Sequence, residues 1–119
     1  KVIPFPLPKL IFQFLDALRP GSTKSILTIY QSLVANDAPE LVFAMLVRRV
    51  RQLIMVADGV TPEGMQGWQA ARLTRQAGLF TMDKLLTMHK ALLAIEVSLK
   101  TGTSPFTLSQ MVEQFLIAL

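Results

Sequence analysis

Two short groups of arginines carry the most versatile chemistry in this 119-residue chain: Arg48, Arg49 and Arg51 in one apolar-patterned stretch, and Arg72 and Arg75 in a later one. A guanidinium is planar, permanently charged and forked, so it holds a carboxylate or phosphate in one orientation and suits a docking surface. The same side chains also suit a plain solvated face, because their stems cover apolar surface while their heads stay wet. No ladder of aromatic residues is interleaved with them, which leaves stacking of single-stranded nucleic acid without support.

Catalytic groupings are not written in the sequence. His89 is the single histidine and cysteine is absent, so no metal-ligand set or nucleophile pair can be assembled from those types. His89 itself is expected at the edge of the core or on the surface. The eight carboxylates are scattered, where capping and solubility explain them better than acid–base chemistry. The glycines between Gly59 and Gly67 match neither phosphate-cradling pattern, G-x-x-x-x-G-K-[ST] or G-x-G-x-x-G. No catalytic residue, cofactor or metal is therefore expected.

Composition sets the frame for these side chains. The length suits about one domain, and an apolar content of 51% is enough to build a core without disulfides. Lack of cysteine fits a reducing cytoplasm. The longest unbroken apolar run, Leu41 to Val47, falls far short of the roughly 20 residues that span a bilayer, so no membrane association is expected. A net charge of +4 permits an acidic protein or nucleic acid as partner without demanding either. Lys1 is not a natural start, and the chain is expected to be one domain of a larger protein.

The elements that must position the arginines read as helices throughout. Residues 1–9, with three prolines at alternate positions, are expected to form an extended arm, and residues 10–119 the helical domain. A first helix carries Leu10, Ile11, Phe14, Leu15 and Leu18 and stops at Pro20-Gly21; Ser22 or Thr23 caps a second, with Ile26, Ile29, Tyr30 and Leu33 on one face. A long third helix enters through Pro39 and Glu40 and stops at Gly59, with the arginines opposite Val42, Met45, Leu46, Val50, Leu53, Ile54 and Ala57. The connection that follows could hold one helical turn at Thr61-Pro62. A shorter helix runs from Trp68 to Ala77, with Trp68 as core or as an anchor at the helix entry.

Thr81 to Lys100 is the stretch around which the domain is expected to be organised, capped by Thr81 and closed by Gly102. Leu85, Met88, Leu92, Ile95 and Leu99 form its seam, and Leu86, Leu93 and Val97 widen it, which calls for partner helices on more than one side. Ser104-Pro105 signals the start of a last helix bearing Leu108, Met111, Val112, Phe115, Leu116 and Leu119, with Ile117 pointing outward. No stretch alternates as a strand does. The expected fold is an all-α antiparallel bundle of roughly five or six helices.

Laid out in this order, several short motifs resemble the C-terminal collar domain of the delta subunit of bacterial DNA polymerase III, a clamp-loader family. They are Phe14 to Leu18, Arg48-Arg49-Val50-Arg51, Arg72 to Ala77 ahead of Phe80-Thr81, and Lys100-Thr101-Gly102 before a leucine-rich final helix. The resemblance spans about Ile11 to Leu119. Glu96 stands four residues before Lys100 where the family pattern has Asp, and the segment after Gly59 is short and glycine-rich by comparison.

The resemblance implies a non-catalytic oligomerisation domain that packs with other clamp-loader subunits, gamma/tau and delta prime, in the assembly that loads the sliding clamp during DNA replication. It implies clamp contact through an N-terminal domain upstream of Lys1, and DNA contact through the whole complex. Arg48, Arg49, Arg51, Arg72, Arg75 and Ile117 are the expected partner-interface residues. A free-standing helical adaptor that binds a peptide or protein is the competing reading. Direct DNA binding by the arginines is a third, and would be steeply salt-dependent.

Overall fold

The structure is a computed structural model that describes residues 9–119. The described residues form six helices and no strand: α1 (Lys9–Asp16), α2 (Thr23–Val34), α3 (Pro39–Ala57), α4 (Gly67–Ala77), α5 (Met82–Thr101) and α6 (Leu108–Ile117). The all-α bundle read from periodicity is the fold. Lys9, placed in the arm by sequence, opens α1; the rest of the arm lies outside the described residues.

The hub is α3, not α5. It packs against α1, α4, α5 and α6, whereas α5 packs mainly on α3 and α6. Val42, Leu46, Val50 and Leu53 of α3 are completely buried, with Phe43 and Val56 nearly so. At roughly 1.5–3 kcal/mol for each fully buried aliphatic side chain, this helix is a larger source of hydrophobic stabilisation than α5, whose apolar residues are split between a covered and an uncovered stripe. Met45 and Ile54 pack only partly against the core, and Ala57 is exposed at the helix end.

Helix ends follow local chemistry. Pro39 occupies the first turn of α3 with Glu40 beside it at the positive end of the dipole. At the other end Gly59 takes φ +82, and the amides of Val60 and Gly59 donate to Met55 O at 2.8 Å and Val56 O at 3.1 Å, a Schellman closure. Thr81 Oγ1 accepts from the Lys84 amide at 3.0 Å to start α5, and Gly102 at φ +65 ends it.

Two boundaries differ from expectation, and the connection after α3 resolves a reading left open. α1 stops at Asp16 rather than near Pro20, leaving Leu18 fully buried in the connector. No helical turn forms after Gly59; Met65 N–H donates to Pro62 O at 3.2 Å in a single turn. Ser104-Pro105 does not begin α6, because Ser104 Oγ is used locally by the Phe106 amide at 3.1 Å. The cap is Thr107, which exchanges bonds with Gln110 in a capping box, Thr107 N–H to Gln110 Oε1 at 2.9 Å and Gln110 N–H to Thr107 Oγ1 at 3.2 Å.

Candidate partner interface

The arginines are distributed around a cleft bordered by α1, α3, α4 and the connector before α4, with a volume of about 730 Å³. That is within the usual size of a ligand-binding depression. Buried Leu15 and Leu73 and half-buried Met45 form its apolar base. Phe12 and Trp68, 43% and 58% exposed, stand on its lips. Trp68 is thus not core. It sits in the first turn of α4, where its Nε1–H donates to Gln66 Oε1 at 3.0 Å and no helix covers its ring.

Arg48, Arg49, Arg72 and Arg75 line this cleft; Arg51 does not, since it follows α3 round to another exposed side. The four play two roles. Arg49 is largely buried, its side chain 13% exposed, and Nη1 donates to Asp16 Oδ1 at 2.8 Å and to Gln76 Oε1 at 3.0 Å. Arg72 Nη2 donates to Asp16 Oδ2 at 3.2 Å from a more exposed position. Arg48 and Arg75 are exposed, and neither forms an ion pair among the described residues.

Asp16 and Gln76 were not singled out as site residues from sequence. Asp16 is the last residue of α1, where the dipole disfavours a carboxylate unless a cation faces it; with the helix expected to reach Pro20, the residues themselves carry no sign of that mismatch. Gln76 completes the arrangement: its Nε2 donates to Leu18 O in the connector at 3.1 Å and to Leu15 O at 2.9 Å, the latter also accepting from Leu18 N–H at 3.3 Å. Arg49 is therefore a structural clamp between α1, α3 and α4 rather than a free docking group.

A second surface lies on α5. Leu85, Met88, Leu92 and Ile95 are buried, but Met82, Leu86, Leu93 and Val97 are 36%, 42%, 48% and 52% exposed. At about 100° per residue these four fall within roughly 60° of arc, centred some 130° from the buried stripe. The two stripes are distinct faces, and the outer one meets solvent instead of the further partner helices expected from its width. Leu99 lies on the buried side by angle yet is 44% exposed, because the final turn of α5 carries it past the covered part of the helix. Lys100 and Glu96 pair at 3.4 Å near the same end.

No family model, curated protein or solved structure matches this chain.

Ile117, at the end of α6, is 59% exposed, as its outward assignment requires. The end of α6 is held by Lys84 of α5, whose Nζ donates to Ala118 O at 2.9 Å, a cation placed at the negative end of the dipole. A substitution at the Ile117 side chain leaves that contact in place. His89 on α5 is half-buried, and its Nδ1 is buried without a hydrogen-bond partner. Among the described residues no three His, Cys, Asp or Glu side chains converge in a way that could hold a metal ion, and no helix is long and apolar enough to cross a membrane.

Proposed function

We propose that this chain is a non-catalytic helical assembly domain that works in the manner of a clamp-loader collar, joining gamma/tau and delta prime neighbours in the cytoplasm during DNA replication. The observation that carries the reading is the uncovered stripe Met82, Leu86, Leu93 and Val97 along α5. Four large apolar side chains share one uncovered face along about four turns of the helix, of the kind that a protein neighbour covers. The order of motifs from Phe14 to Gly102 supports the specific family.

The mechanism is positional. Helix faces of neighbouring subunits packed side by side fix their relative orientation, so that movement in one is transmitted to the next. Arg51, lying outside the cleft, and Ile117 at the end of α6 belong to this surface in the proposal.

The test is co-elution of the chain with gamma/tau and delta prime subunits in gel filtration. The native chain is expected to enter the complex, and Ile117→Asp or Leu93→Asp to weaken assembly while leaving the helical circular dichroism signal and melting unchanged. Unaltered complex formation by both variants would remove the basis for the proposal.

A further inference from the structure

We infer that the cleft between α1, α3 and α4 docks an acidic segment of a partner protein that carries at least one bulky apolar side chain. Charge argues for the first half. Four arginines line the cleft against two carboxylates, Asp16 and Glu63. Asp16 is already held by Arg49 and Arg72, while Arg48 and Arg75 remain exposed with no ion pair among the described residues. Two forked cations on opposite sides, one from α3 and one from α4, present donors to a carboxylate-bearing chain lying between them.

Shape argues for the second half. Leu15, Met45, Leu73, Phe12, Met65 and Trp68 are the apolar part of a cleft that is otherwise polar, so a side chain such as Phe or Leu entering it has carbon and sulfur to pack against. Tryptophan, methionine and arginine together at one concave site are the residue types enriched at protein interfaces. A nucleic-acid strand fits less well. Trp68 and Phe12 provide no repeated platform on which successive bases could stack.

The occupant is assigned to a partner protein on charge: within these 119 residues the eight carboxylates are scattered without an acidic run, so a second copy of this domain does not supply such a segment. The cleft is built from α1, α3 and α4 and the outer stripe from α5, so loss of one surface leaves the other intact, and this inference stands or falls separately from the assembly proposal.

Trp68 is the single tryptophan, so its fluorescence reports occupancy of the cleft directly. The probe is a capped synthetic peptide of three acidic residues, Phe-Leu, and three acidic residues, titrated into the 119-residue chain. A saturable blue shift of Trp68 emission is expected. Affinity should fall by about tenfold in the Arg48→Ala/Arg75→Ala double variant, and by a similar factor when Phe-Leu in the peptide becomes Ala-Ala. Both arginines are exposed and form no ion pair among the described residues, so the variant is expected to keep the native melting curve. Absence of a saturable shift overturns the inference, as does equal affinity for the double variant. Tighter binding of an oligothymidylate than of the peptide, with the same arginine dependence, reassigns the cleft to nucleic acid and also overturns it.

Discussion

Arg49 on α3 reaches across to Asp16 at the last position of α1, Nη1 to Oδ1 at 2.8 Å, and so places a cation against a carboxylate that the α1 dipole would otherwise disfavour. The same nitrogen holds Gln76, which in turn ties off the carbonyls of Leu15 and Leu18. One arginine thereby joins three helices. Arg49→Ala is expected to lower stability by about 1–3 kcal/mol in urea unfolding, since it removes the shorter ion pair to Asp16 and leaves the part-buried Gln76 Oε1 without its donor. Arg72→Ala, which removes only an exposed contact to the same carboxylate, should cost at most about 0.5 kcal/mol. Equal losses for the two variants would contradict the division of roles.

Position of α3 at the centre of the contacts leads to a contrast between helices. Leu46→Ala removes a fully buried side chain and is expected to cost about 2–5 kcal/mol, through lost transfer free energy and the cavity left behind. Leu93→Ala on the outer stripe of α5 should change stability by less than about 0.5 kcal/mol. Thermal or urea denaturation of the two variants checks both values. A large loss for Leu93→Ala would mean that α5 leans on that face within the domain.

Tyr30 supplies a pH dependence. Burial raises its pKa above the ordinary phenol value of 10.0, opposed by the hydrogen bond with Ser109 and reinforced by the charges of Glu113 and Glu40. The folded state therefore holds the phenolic proton more tightly than the unfolded state. The stability this gives is fully present below about pH 10 and is lost as pH rises through the folded value. Tyr30→Phe is expected to flatten the fall in stability above about pH 10 seen by denaturant unfolding. As Tyr30 is the one tyrosine, its phenolate absorbance follows the same titration without overlap from another. A native chain whose phenolate forms at the ordinary pH would contradict the burial argument.

Much of this arrangement was legible in the residues, and the rest was hidden for identifiable reasons. Thr81 and Gly102 bound α5, and Pro39 and Gly59 bound α3, because caps and breakers act through local backbone chemistry that a sequence displays. Thr107 and Gln110 were a readable capping box for α6, but Ser104-Pro105 offers the same type of signal three residues earlier, and only the use of Ser104 Oγ by Phe106 separates them. Periodicity gives the angular positions on α5 without saying how many neighbours surround it, so Leu86, Leu93 and Val97 read as a widening of the seam that calls for more partner helices, and Met82, four residues before Leu86, carries no such signal by itself. Of the arginines, side-chain type alone cannot distinguish Arg49, drawn inward by Asp16 and Gln76, from Arg48 beside it, which stays in solvent; that difference depends on α1 and α4 approaching α3.

The most direct measurement of the assembly proposal is amide hydrogen exchange of the chain alone and after mixing with gamma/tau and delta prime subunits. The outer face of α5 from Met82 to Val97 and the end of α6 around Ile117 are expected to gain protection in the mixture, while exchange at the buried centre of α3 stays as it was. Identical exchange with and without those subunits, along the whole of α5 and α6, would contradict it.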